Sequence, residues 1–187
     1  MTEAERVQFE QDIRPVKLIL GKIRALSFKI IHSTTKLLPA WKTLCRMFGL
    51  EENLLPRDVK TRWNSTYDMV AAALKYRKVV EAICADKKLG LRKFELSGRE
   101  WVIMKQLSQV FKDATLFFSR STPNLAKVIP AIDHIDQVLT TAEVTPDKYN
   151  STIQIACGLG KKTLNKYYLL TDASINYRIA MGAYICT

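Results

Sequence analysis

Residues 13–31 read IRPVKLILGKIRALSFKII. Apolar side chains fall at Ile13, Val16, Leu20, Ile23, Phe28 and Ile31, and steps of three to five residues place them on one helical face. Lys17, Arg24 and Lys29 interleave with that face. Pro15 fits the first turn of such a helix, where its missing N–H costs nothing. A strand would alternate with period two, and this stretch does not. The expectation for the chain is therefore set by an amphipathic helix carrying basic residues.

Working outward, the same period recurs. A second helix is expected after Ser33 or Thr34, running to Phe48, with Gly49 as its stop. EENLLPRDVK (51–60) breaks the pattern, and Pro56 favours an extended backbone there. DVKTRWNSTYDM (58–69) opens a third helix: Asn64 and Ser65 are good N-caps, and Asp68 three residues after Ser65 imitates a capping box. That helix is expected to reach about Cys84. Ser97 and Glu100 form a second capping box ahead of Trp101, Met104, Leu107, Val110, Phe111 and Ala114. A fifth helix follows Pro123, with Val128, Ile132, Ile135, Val138 and Leu139 inward. Thr145-Pro146-Asp147 opens a sixth to about Tyr168, and Thr171-Asp172 opens the last. Strand and hairpin signals are missing, and 7 glycines leave little material for tight hairpins. The expectation is an all-α fold, an irregular bundle of six or seven helices. It divides into an N-terminal extension (1–12), a basic helical region (13–93) and a C-terminal helical region (94–187).

The chain has 187 residues and a formal net charge of +11. Residues 1–93 carry 19 Lys+Arg against 10 Asp+Glu, whereas residues 94–187 carry 10 against 8. Between Arg14 and Leu50 there are eight basic residues and no acidic one. Each Lys or Arg set against a phosphate releases condensed counterions, so this asymmetry favours a polyanion partner. A solvated basic face that keeps the protein soluble is the competing explanation on composition alone. No apolar run reaches the 18 or so residues of a membrane span, and the polar start MTEAERVQFEQD is no signal peptide. Cys45, Cys84, Cys157 and Cys186 are widely spaced and read as free thiols in a reducing compartment.

Catalytic and metal-binding patterns are missing too. There is no GxxxxGK[ST], GxSxG or HExxH, and His32 and His134 have no zinc spacing with the cysteines. Gly158-Leu159-Gly160-Lys161-Lys162 imitates a phosphate loop but lies inside a helical pattern. Asp133 and Asp136, one helical turn apart, read as solvated carboxylates in preference to a metal pair. No cofactor and no small-molecule substrate is expected.

TRWNSTYDM (61–69) resembles the segment that hAT-superfamily transposases carry shortly after their second catalytic aspartate. LSGREWVIMKQLSQVFKDATLFFSRS (96–121), VIPAIDHIDQVL (128–139) and KKTLNKYYLLTDASINYRIAM (161–181) resemble successive later segments, the last most like fungal members. VKLILGKIRALSFKI (16–30) is similar to the basic helix upstream. The resemblance spans roughly residues 10–181 in order.

Such enzymes hold divalent metal on two aspartates and a glutamate in an RNase-H-like fold, which a helical insertion interrupts. The resemblance places this chain in that insertion, after the second aspartate and before the glutamate. GAYICT (182–187) departs from the family's usual continuation, which implies an early end. The expectation is a truncated, catalytically inactive helical domain with no metal, binding DNA weakly in the nucleus through its basic half. For a relic, the cytoplasm is the alternative. Lys60, Arg62, Trp63, Asn64, Arg24 and Lys29 are the expected contacts. Trp63 either stacks on an unpaired base, as the resemblance implies, or anchors the third helix by packing. Trp41 and Trp101 read as core. The alternative function is a helical protein-interaction module, through a protein partner or self-association.

Overall fold

The computed structural model describes residues 3–59, 63–119 and 128–172, and among these the fold is all-α. Seven helices follow one another: α1 (Glu3–His32), α2 (Leu37–Met47), α3 (Trp63–Lys75), α4 (Arg77–Ala85), α5 (Gly98–Ser119), α6 (Val128–Val144) and α7 (Ser151–Asp172). Two short 3-10 turns, Lys87–Leu89 and Arg92–Phe94, link α4 to α5. The chain forms two compact units, one of residues 14–108 and one of residues 1–13 with 109–187.

In the unit of residues 14–108, α1 buries Val16, Ile19, Ile23, Leu26 and Ile30. The inward stripe is thus not quite the one the sequence spacing suggests. Phe28 lies outside it and is 54% exposed. Leu20 and Ile31 lie at its half-buried margins. The steps from Ile19 to Ile30 follow the 3.6-residue period closely, and Phe28 falls off that line. The helix also starts ten residues earlier than expected, at Glu3, so Pro15 lies in its interior and not in its first turn. A helix-interior proline leaves one carbonyl of the preceding turn without its usual donor.

The core is completed by Trp41 and Cys45 of α2, Met69, Val70 and Ala73 of α3, Val79, Val80 and Ile83 of α4, and Trp101 and Met104 of α5. Both core tryptophans are buried, as the sequence leads one to expect. α2 ends as expected at Gly49, whose φ of 66° is left-handed. Gly49 N–H donates to Arg46 O and Leu50 N–H to Cys45 O, the paired bonds of a Schellman stop. The single helix expected from Asn64 to Cys84 is broken at Tyr76 into α3 and α4. α5 opens on its capping box: Ser97 N–H donates to Glu100 Oε2 at 2.7 Å, and Glu100 N–H to Ser97 Oγ at 3.3 Å.

Residues 50–59 have no regular structure, yet helices on several sides hold them. Trp41 Nε1 donates to Asn53 O (3.1 Å), Tyr76 Oη to Glu51 O (3.0 Å) and Ser27 Oγ to Leu55 O (3.0 Å). Leu55 is buried beside them. This strap carries the chain from the end of α2 to the start of α3.

In the other unit, α6 and α7 form an antiparallel hairpin with Ala131, Ile135, Leu139, Ala142, Ile153 and Cys157 inside. Asn150 caps α7: its Oδ1 accepts from Thr152 N–H at 3.0 Å. The helix therefore starts after Asn150 and not at Thr145-Pro146-Asp147, and it continues past Tyr168 through Thr171 and Asp172. Gly158 and Gly160 lie within it, so GLGKK is no phosphate loop. A Cβ at Gly160 would come within 3.3 Å of Leu139 Cδ1, and one at Gly158 within 2.8 Å of Glu143 Oε1. These glycines let the two helices approach. Pro123 and the expected last helix beyond Asp172 lie outside the described residues.

Candidate nucleic-acid interface

The outward side of α1 within residues 14–32 is built by the same period that buries its core stripe. Arg14, Lys17, Gly21, Arg24, Phe28 and His32 recur at steps of three or four residues, all exposed, and Lys29 is exposed beside them. No acidic residue interrupts the run. Among the described residues, the side chains of Arg14 and Lys29 have no hydrogen-bond or ion-pair partner. The surface is cationic with an aromatic inside it.

Arg24 connects this surface to the start of α3. Its Nε donates to Asp58 Oδ2, and Asp58 Oδ1 also accepts from Ser65 Oγ (3.0 Å) and Thr66 Oγ1 (2.8 Å). Ser65 Oγ further accepts from Val59 N–H at 2.8 Å. The Asp58 side chain is 1% exposed. Burial alone would raise its pKa, but the bonds from Thr66, Arg24 and Ser65 outweigh that and hold the carboxyl below its usual range. One carboxylate thus clasps the end of the strap, the first turn of α3 and the middle of α1.

Ser65 accordingly does not cap α3, as its sequence context suggests. The helix has already begun at Trp63, and the Ser65 hydroxyl serves the clasp instead. Trp63 is the first residue of α3, but its side chain lies outside the described residues, as do Lys60 and Arg62 entirely. Asn64 is exposed in the first turn. Of the six expected contact residues, Arg24 and Asn64 therefore share one neighbourhood through the clasp. Lys29 lies on the same helix as Arg24, about a turn and a half further on.

The residues that sequence reasoning missed are Asp58, Phe28 and His32. The Phe28 and His32 rings stack with centroids 3.9 Å apart and planes inclined by 26°. His32 Nδ1 lies 2.8 Å from Phe28 O. A carbonyl oxygen only accepts, so Nδ1 carries the hydrogen. The spacing 14, 17, 21, 24, 28 and 32 was the available signal.

A second ion pair stiffens the unit beneath this face. Lys22 Nζ reaches Glu100 Oε1 at 2.7 Å and Glu95 O at 2.9 Å, joining α1 to the start of α5. Burial acts to raise the Glu100 pKa, but bonds from Lys22 and Ser97 outweigh it and leave the carboxyl below its usual range.

The described cysteines are poor nucleophiles. Cys45, Cys84 and Cys157 are buried free thiols. Burial, with Glu95 adding and Lys22 opposing, pushes Cys84 to about 11; burial and Glu143 push Cys157 to about 11. Cys186 lies outside the described residues. Asp133 and Asp136 line a cleft of about 570 Å³ on the hairpin with Gln137, Thr140, Asn165 and Tyr168. Among the described residues, no group of three or more His, Cys, Asp or Glu could hold a metal ion, and no helix is long and apolar enough to cross a membrane.

Residues 8–110, more than half of the chain, match the family model of the ZBED1 RNase-like helical domain. ZBED1 is a domesticated protein derived from an hAT transposase. No curated protein and no solved structure matches the chain.

Proposed function

Since the chain belongs to the ZBED1 RNase-like helical domain family, we propose that it is a non-catalytic, hAT-derived DNA-binding module acting in the nucleus. The observation that carries this reading is the acid-free outer face of α1, joined through Asp58 to the first turn of α3. There Arg14, Lys17 and Lys29 present charge to phosphates, and Arg24 holds the α3 N-terminus beside them. A helix N-terminus offers unsatisfied N–H groups to phosphate, so Asn64 lies where such a contact forms. Lys60, Arg62 and Trp63, adjoining that turn in sequence, complete the proposed contact set. The family describes a helical region of an RNase-like protein and not its carboxylate-bearing core, which supports a binding role without strand cleavage.

The test is a titration of short duplex DNA by fluorescence anisotropy at several salt concentrations. Affinity should fall steeply with salt, and Arg14→Ala or Lys29→Ala should each reduce the slope of log K against log salt by about one unit. Binding that ignores salt would overturn the reading. It would favour a protein-interaction module, for which exposed Met47 and Phe48, adjacent at the end of α2, are the supporting observation.

A further inference from the structure

We propose that the Phe28–His32 stack is a platform for the base of an unpaired nucleotide, so that the domain prefers single strands or frayed ends to intact duplex. This rests on the DNA-binding reading above and deepens it. Phe28 is the one aromatic of the α1 outer stripe apart from His32, and more than half of it meets solvent. Its ring is not left loose: His32 covers one face at 3.9 Å, and the Nδ1–H bond to Phe28 O fixes the imidazole. Two aromatic rings are thus ordered and stacked before any ligand arrives, which reduces the ordering cost of a third ring joining the stack. Every base offers a π-face, but only an unpaired one can offer it to a protein side chain.

The surroundings suit a strand's backbone. Arg24 lies one turn before Phe28 on the same stripe, and Lys29 is next to it in sequence. Gly21 lies two turns before, and a Cβ there would meet nothing within 4 Å. A sugar-phosphate chain can therefore lie close to the helix between Lys17 and Arg24. The stripe from Arg14 to His32 is about 27 Å long at 1.5 Å per residue. That length accommodates a strand at the short end of the roughly 4–16 nucleotides bound by known single-strand modules. The ligand that matches both the cations and the aromatic stack is a phosphodiester strand with an exposed base.

The experiment compares a short single-stranded oligodeoxynucleotide carrying 2-aminopurine with a duplex of the same length, using the full chain. Phe28→Leu keeps an apolar side chain on an exposed position and removes the π-face, so folding should be retained, as checked by circular dichroism. The expected result is single-strand affinity weakened at least about fivefold, with duplex affinity and salt slope unchanged. Phe28→Trp should restore it, and 2-aminopurine fluorescence should be quenched by the parent and Phe28→Trp but not by Phe28→Leu. Equal losses for both DNAs, or no loss for either, would overturn the platform while leaving the DNA-binding reading in place. A parent chain that binds neither DNA would overturn both.

Discussion

The unit of residues 14–108 and the α6–α7 hairpin hold helices together in different proportions of polar reach and close approach. In the first, side chains reach across to backbone and carboxylate acceptors: Trp41, Tyr76 and Ser27 to the strap, Arg24 to Asp58, Lys22 to Glu100. In the second, two helices come close because Gly158 and Gly160 give up their side chains, and the contact is mainly apolar. Charge separates them as well. Residues 14–108 carry 20 Lys+Arg against 8 Asp+Glu, or +12, whereas residues 128–172 carry 4 against 5, or −1. The first unit fixes the middle of its strap with neutral donors, and its buried Asp58 and part-buried Glu100 each hold several partners.

That contrast can be broken most sharply at Trp41. Its side chain is fully buried and donates to the strap, so Trp41→Ala removes packing and an anchor together and should cost about 3–5 kcal/mol. Chemical denaturation of the full chain should show the first unit melting early while the hairpin's transition stays put. Loss of both together would mean that the two units unfold as one.

Next in size is the clasp. Asp58→Ala leaves Thr66 and Arg24 without their acceptor, while Ser65 keeps Val59 O, and should cost about 1.5–3 kcal/mol, the range for hydrogen bonds to a charged group. Arg24 is partly exposed and can return to water, which limits the loss. The same residue gives a pH signature. Asp58 and Glu100 are both held below their usual pKa, so the folded state binds fewer protons than the unfolded one. Their contribution is complete above the ordinary carboxylate pKa of about 4 and disappears as pH falls below it. Acid titration should therefore destabilise the parent more than Asp58→Asn, whose clasp no longer titrates; parallel acid curves would refute this.

The smallest effects separate the two kinds of glycine. Gly21→Ala meets open space in mid-helix and should stabilise by about 0.5–1 kcal/mol. Gly160→Ala gains the same propensity but presses on Leu139, so its net change should be near zero or unfavourable. Thermal melts of the two variants side by side would sharpen the point, and equal gains would show that the hairpin has slack.

What the sequence made legible follows the range of the interactions involved. The Ser97–Glu100 box and the Gly49 stop were readable because their partners lie within five residues. The all-α class was readable because the period recurs throughout. Asp58 was not, since its decisive partner Arg24 is 34 residues away; nothing local distinguishes it from a loop carboxylate. Ser65 has the credentials of a cap, but a buried acceptor upstream competes for its hydroxyl. Phe28 was counted inward because it is apolar, and only the tighter stripe through Ile19, Leu26 and Ile30 shows it to be outside. Thr145-Pro146-Asp147 has the composition of a helix opener, but the helix starts after Asn150, whose side chain caps it.

Ahead of the Asp58 clasp, the helical unit's buried donors grip the strap through its carbonyl oxygens at Glu51, Asn53 and Leu55. Any amino acid supplies such an oxygen. Exposed positions 51 and 53 can thus drift in related chains without loosening this grip, while Ser27 of α1, Trp41 of α2 and Tyr76 at the break between α3 and α4 cannot. For residues 51–55, a family comparison should find the invariant letters written outside the stretch itself, at positions up to 28 residues away from the backbone they hold.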